Sequence, residues 1–174
     1  GLNDQNVALV EQECGVAVSL RGSELFLTGE AEDAGLAESA IAYTRGEISF
    51  AQQEYSAALQ NFETCIDTQE DSYLCMRAYL MANKVYREKN DLAGSRTLLR
   101  QAVSKLPVQE QLVILENLVQ TDIDLADKTG QSSYRSEAIG YLNQIIENNW
   151  AGYSDYDTLA ILYQKQNSLA QVES

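Results

Sequence analysis

The sequence predicts an all-α protein built from antiparallel helix pairs stacked side by side. The first observation is internal repetition. The stretches 55–66, 92–103 and 135–146 share one pattern: a small residue (Ala58, Ser95, Ala138), a bulky apolar residue four later (Phe62, Leu99, Leu142), and Cys65, Ala102 or Ile145 three further on. That spacing is one face of a helix, and its recurrence about every 40 residues is the mark of a helical solenoid. The second observation is that long segments of 3.6-residue period alternate with short turns, as antiparallel helix hairpins require. The third is negative: no segment sustains the period-two alternation of a strand.

Taken in order, 6–20 carries Val7, Val10, Cys14, Ala17 and Val18 at helical spacing, and Arg21-Gly22-Ser23 reads as a helix stop followed by a new N-cap. A short apolar piece, Leu25-Phe26-Leu27, follows, and 1–35 is expected to hold degenerate N-terminal helices. A long amphipathic helix is expected over 32–50, with Leu36, Ile41, Tyr43 and Ile48 among its apolar positions, and 52–54 turns the chain into a helix over 55–68. Asp71-Ser72 caps the next helix, which ends at Lys89-Asn90; Asp91 is a natural N-cap for its successor, which Pro107 closes. A helix over 109–127 is followed by a polar loop at 128–133, longer than its counterparts. Ser132 or Ser133 then caps a helix to about Asn148, 149–153 forms an aromatic turn, and a helix over 155–166 leads into the opening turn of one more. The expected organisation is a single domain, 1–174, with helix pairs at 36–70, 72–107 and 109–149 and an incomplete last pair at 153–174.

The hairpins resemble the tetratricopeptide repeat (TPR). The best copy is Tyr79, Ala82-Asn83, Tyr86, Asn90-Asp91, Leu92, Ser95, Leu99, Ala102 and Pro107. The copy before it has Ala42, Gly46, Tyr55, Ala58, Phe62 and Cys65, and the last has Tyr156, Leu159-Ala160, Tyr163 and Asn167. Ala126, Ala138, Leu142 and Ile145 form a looser copy between them. The resemblance implies a right-handed α-α superhelix, with Tyr86 as a wedge between the helices of its own repeat. It also implies a non-enzymatic scaffold that holds a peptide or protein in a concave groove lined by the first helix of each pair. Arg77, Lys84 and Arg87 form a stripe on such a first helix, and Tyr43, Glu47 and Phe50 lie on the one before; these six are the candidate partner-binding residues. The family's clamp for chaperone tails needs paired Lys and Asn residues, whereas the corresponding positions here are Tyr43/Glu47 and Leu80/Lys84, so that activity is not implied.

Acidic balance, degenerate repeats and a chain that begins Gly1-Leu2-Asn3 without Met look similar to the TPR lipoproteins and membrane-tethered TPR domains of bacteria. The expected setting is therefore outside the cytoplasm, anchored to the cell envelope, with material removed upstream. The last pair stops inside its second helix, so the chain reads as part of a longer array or as a terminal helix covering a neighbour.

Composition narrows the function. The formal charge is −14, with 26 Asp and Glu against 12 Lys and Arg. Nucleic acid demands a basic footprint, and so does an anionic membrane surface. No apolar run is long enough to insert this segment into a bilayer. A cationic partner is permitted, and the plain reading of the charge is solubility. The chain has no histidine, which removes Ser-His-Asp and Cys-His catalysis and the common His-ligated zinc sites. With no Gly-rich phosphate loop either, no enzyme and no cofactor are expected. Cys14, Cys65 and Cys75 are too few and odd in number for a disulfide framework; Cys65 falls on an inward face, and a Cys65–Cys75 bridge across the turn stays open. Asp122, Asp124 and Asp127 lack the alternate ligands, central Gly and terminal Glu of an EF-hand loop and read as solvated carboxylates. Glu11, Glu13, Glu30, Glu32 and Asp33 read the same way. Trp150, Tyr153 and Tyr156 cluster at a turn, where packing between pairs is the default. An exposed platform for peptide or carbohydrate is the alternative, and it would make the chain an extracytoplasmic glycan- or substrate-binding accessory protein.

Overall fold

The computed structural model describes residues 8, 11–13, 15–21, 24–68 and 71–172. It is mostly helical. Two strands, β1 (Ala17–Arg21) and β2 (Glu24–Thr28), precede α1 (Ala31–Ala51), α2 (Tyr55–Thr68), α3 (Ser72–Glu88), α4 (Leu92–Lys105), a 3-10 turn (Val108–Glu110), α5 (Gln111–Thr129), α6 (Ser132–Glu147) and α7 (Tyr153–Val172). The chain forms two compact units, Gly1–Val85 and Tyr86–Ser174, with the boundary inside α3.

In the first unit, the expected N-terminal helix over 6–20 is corrected. Ala8 and 11–13 are helical, but Gly15 takes a positive φ of 66° and 17–28 is an antiparallel hairpin, with Val18 opposite Leu27 and Leu20 opposite Leu25. Each strand is only five residues long, so its alternation is too brief to stand out against the helical spacing of Val10, Cys14 and Val18. Gly22-Ser23, read as a stop and cap, lies outside the described residues, as do Val7, Val10 and Cys14. The amide of Val18 donates to Glu11 at 2.8 Å, so this carboxylate anchors the hairpin rather than facing only water.

The core of this unit forms where α1 and α2 pack. Phe62 is fully buried, and its ring lies so close to Gly46 that a Cβ there would sit 2.5 Å from it. Tyr43 flanks the contact with its ring centroid 5.8 Å from that of Phe62. Cys65 and Cys75 are buried and no bridge joins them; the Cys75 thiol donates to the Cys65 carbonyl at 3.8 Å, and Ser39 Oγ lies 3.2 Å from Cys65 Sγ. Burial pushes the Cys65 thiol up, as expected of a small hydrophobe in a core. Tyr79 is the fully buried aromatic of α3, with its hydroxyl unpartnered and pushed up to about 12, chiefly by burial.

In the second unit, α4 packs on α5 and α5 on α6, while α7 lies against α6. Asp91 caps α4 by accepting the Gly94 amide at 2.8 Å. Tyr86 is half-buried rather than a fully enclosed wedge. Its ring lies against Gly94, where a Cβ would meet it at 2.6 Å. At the other end of α4, Pro107 supplies no amide, and the side chain of Gln111 donates to the carbonyls of Val103 (3.0 Å) and Leu106 (2.8 Å) instead. The loop expected over 128–133 shrinks to Gly130-Gln131: α5 runs to Thr129 and closes on Gly130 in the left-handed region, which its lack of a Cβ favours. The break expected after Gln166 is also absent, and α7 continues through Asn167 to Val172. No Gly, Pro or capping aspartate follows Asn167, whereas Asn90 is followed by Asp91.

One turn recurs. Gln53, Asn90 and Asn149 each adopt a positive φ, of 61°, 55° and 58°. The amide after each reaches back five residues, from Glu54 to Ser49, Asp91 to Tyr86 and Trp150 to Ile145, and its own amide reaches back three. This is the Schellman closure, which satisfies carbonyls left open at a helix end. Asparagine tolerates the left-handed region and glutamine does not, at roughly 1–2 kcal/mol for an ordinary residue. Gln53→Gly is therefore expected to raise the unfolding free energy by about 0.5–1 kcal/mol in urea titrations, and Asn90→Gly to change it little. A paired test addresses packing. Gly46→Ala meets the Phe62 ring and is expected to cost about 1–3 kcal/mol, whereas Gly140→Ala, with open space around its Cβ, is expected to gain up to about 1 kcal/mol from helix propensity alone.

Candidate functional site

The first-unit residues singled out by sequence converge in part. Tyr43, Glu47 and Phe50 are one helical stripe of α1, and Arg77 and Lys84 one stripe of α3. The Arg77 guanidinium lies 4.7 Å from the centroid of the Tyr43 ring and 3.8 Å from Glu47, and the Lys84 ammonium lies 5.0 Å from the Phe50 ring. Phe50 in turn leans on Tyr55, with centroids 6.1 Å apart. Each cation thus has an aromatic floor. Such contacts contribute about 0.5–1 kcal/mol at exposed sites. The Arg77–Glu47 pair is more than 40% exposed on both sides and too open to be worth much. Tyr43 itself is buried, so it supports the surface from below; burial first, then Glu47, push its hydroxyl up, while Arg77 opposes them. What faces solvent is a guanidinium, an ammonium and a half-buried phenyl ring: groups that grip a carboxylate and a neighbouring apolar side chain.

Arg87 belongs to the second unit and is engaged there. It donates to Asp124 at 2.6 Å and to Thr121 at 3.4 Å.

The second unit holds a constellation that sequence reasoning missed. Asp122 is wholly buried on α5 and accepts from Arg96 Nε of α4 at 2.6 Å. Arg96 reaches on through Nη2 to Glu137 of α6, which Arg100 also approaches at 3.5 Å. The guanidinium lies 5.2 Å from the Tyr134 ring. Beside this chain, Ser95 and Thr121 are 3.3 Å apart. The signal was present: Asp122 falls where the apolar frame of Leu115, Leu118 and Leu125 calls for a hydrophobe. Asp124 pairs with Arg87, and Asp127 with Arg135 and Lys165, so the three aspartates point to different cations. Among the described residues, no group of three or more acidic or thiol side chains is placed to hold a metal ion. Asp122 Oδ2 has no hydrogen-bond partner in the protein, and burial raises its carboxyl above the ordinary value while Arg96 pulls it back. The arrangement is a structural cross-link of α4, α5 and α6.

The aromatic turn is open. Trp150 is half-buried, and Tyr153 and Tyr156 are 89% and 53% exposed. Among the described residues, no helix is long and apolar enough to cross a membrane. No family model matches the chain, and no curated protein or solved structure matches it.

Arg96→Met leaves Asp122 buried without its cation and is expected to cost about 3–5 kcal/mol in chemical denaturation. The pH dependence has a definite sign. A carboxyl raised in the folded state binds protons more tightly there than in the unfolded chain, so its contribution weakens stability as pH rises through the folded value. Unfolding of the wild type and Asp122→Asn, measured across the acid range, should show a difference that is constant below the ordinary carboxylate range. The difference should move against the wild type as pH climbs above it. A difference that moves the other way would show that Arg96 overcomes the burial.

Proposed function

We propose that this chain is a TPR-type scaffold that carries out no reaction and holds a peptide or protein partner, with its helix pairs stacked as a right-handed superhelix. The observation that carries the reading is the fate of the repeated stripe. Ala58, Phe62 and Cys65 on α2, Ser95, Leu99 and Ala102 on α4, and Ala138, Leu142 and Ile145 on α6 are all at most 1% exposed. The sequence repeat is thus a packing repeat: second helices are used up in the core, and first helices have a face left over for recognition. On the first unit that face offers Glu47, Phe50, Arg77 and Lys84. Two cations on aromatic supports in a chain of net charge −14 favour an acidic peptide, or a chain end with its carboxylate, over a basic one.

A displayed peptide library panned against the chain is expected to enrich acidic sequences with one apolar anchor. Affinity for a synthetic peptide made from the enriched sequence should fall several-fold when salt is raised from about 50 to about 300 mM. Arg77→Glu/Lys84→Glu should weaken it at least tenfold with the helical circular dichroism unchanged. Equal binding by that variant would move the contact elsewhere, and enrichment of basic sequences would reverse the electrostatic reading.

A further inference from the structure

The two cations of the α1 and α3 surface are not equivalent. Arg77 shares its place with a carboxylate, since Glu47 Oε1 lies 3.8 Å from its Nη2. Burial first, then Glu47, keep the proton on the Tyr43 hydroxyl beneath them. Lys84 has the Phe50 ring centroid at 5.0 Å and makes no ion pair among the described residues. One point of the surface is therefore a cation without a counter-charge. The other is a hydrogen-bond donor with an acceptor beside it.

Electrostatics decides what each point receives. A carboxylate that reaches Lys84 meets a positive charge alone. A carboxylate at Arg77 meets Glu47 as well, and repulsion at that range offsets the attraction. The Arg77–Glu47 pair is too long, and at 44% and 43% exposed too open, to satisfy either partner. Arg77 keeps N–H groups to give, and Glu47 keeps lone pairs that accept. A primary carboxamide carries the complement of both on one edge: a carbonyl for the guanidinium and an amino group for the carboxylate. It brings no charge for either to repel.

The helix sets the distance between the two points. Arg77 and Lys84 are seven residues apart on α3. That is about 10 Å along the helix axis, which an extended peptide covers in about three residues. Leu80 and Met81, both half-buried, lie between them on α3 and offer apolar surface to the intervening side chains.

We infer that Glu47 sets the specificity of this surface: the ligand gives one carboxylate to Lys84 and, three residues away, an Asn or Gln side chain to the Arg77–Glu47 pair, not a second acid. The inference rests on the acidic-peptide reading and narrows it to one acid and one amide.

The probes are labelled peptides with blocked ends and one apolar residue between two test positions three residues apart. The positions hold Glu and Gln in either order, Glu at both, or Gln at both. Fluorescence polarisation with the full chain is expected to favour one Glu/Gln order at least fivefold over Glu/Glu and over Gln/Gln. Glu47→Gln, with helicity unchanged by circular dichroism, should reverse the first preference, because a second acid then meets Arg77 unopposed. Lys84→Gln should abolish the second, because the acid no longer has its cation. A wild type that binds Glu/Glu as well as or better than Glu/Gln would overturn the role of Glu47 and leave the acidic-peptide reading standing. So would a preference that Glu47→Gln leaves in place, or equal weakening of every peptide by that variant, which would mark a purely structural residue. Absence of saturable binding by any acid-bearing peptide up to about 1 mM, a Kd in the weakest range for a specific contact, would overturn both.

Discussion

Close approach of helix backbones within a pair is the constraint on which the rest of the structure depends. At Gly46 even a methyl group would strike the Phe62 ring, and at Gly94 it would strike Tyr86. Each pair can come this near only because one helix presents a small residue where the other presents a ring. Dispersion contacts fall steeply with separation, so the gain from a tight pair is lost with a small outward shift. The recurring small–large–small stripe is the record of that demand. Wherever it appears on a second helix it is buried to within 1%. Fixing which faces are interior also fixes which remain outside, and the candidate surface of α1 and α3 is on faces left outside.

Much of this was legible in the sequence for the same reason. A stripe that must be small at one position and bulky at another leaves a spacing that can be read without coordinates. The bounds of α2, α3 and α4 follow from Asp71, Asp91 and Pro107, whose effects are local. The misreadings have physical causes too. The hairpin of β1 and β2 is only five residues a strand and imitates helical spacing. The loop before α6 looks long because Lys128 and Thr129 are polar, yet polar residues extend a helix well on an exposed side, and only Gly130 stops it. Of the candidate site, the cations and the aromatics beneath them lie on stripes that spacing alone defines. The allegiance of Arg87 depends on Asp124, which is 37 residues away in sequence, and no local pattern carries that.

Asp122 shows what periodicity cannot convey. It occupies an apolar position of α5, and a carboxylate there is tolerated only because Arg96 arrives from α4, its guanidinium held in turn by Glu137 of α6. Such a buried charge adds little to stability compared with a leucine of similar size. What it adds is selectivity of arrangement. Sliding α4 along α5 by one turn would strand a charge in the core, whereas sliding a wholly apolar seam costs much less. In a fold made of similar helices with similar stripes, many such slips are nearly equal in packing. One ion chain that fits in a single alignment separates them, and the 3.3 Å contact of Ser95 with Thr121 reinforces the same alignment.

The tight turns at Gln53, Asn90 and Gly130 also bear on how the chain reaches its fold. Each joins helices that are neighbours both along the chain and in space, and the main packings, α1 on α2, α4 on α5 and α5 on α6, all connect consecutive elements. Little loop entropy is spent before a contact forms, and proteins with such local connectivity belong to the rapidly folding group. Each hairpin can gather on its own before its neighbours are complete. During synthesis, a pair emerging from the ribosome can begin to close before the next pair is made.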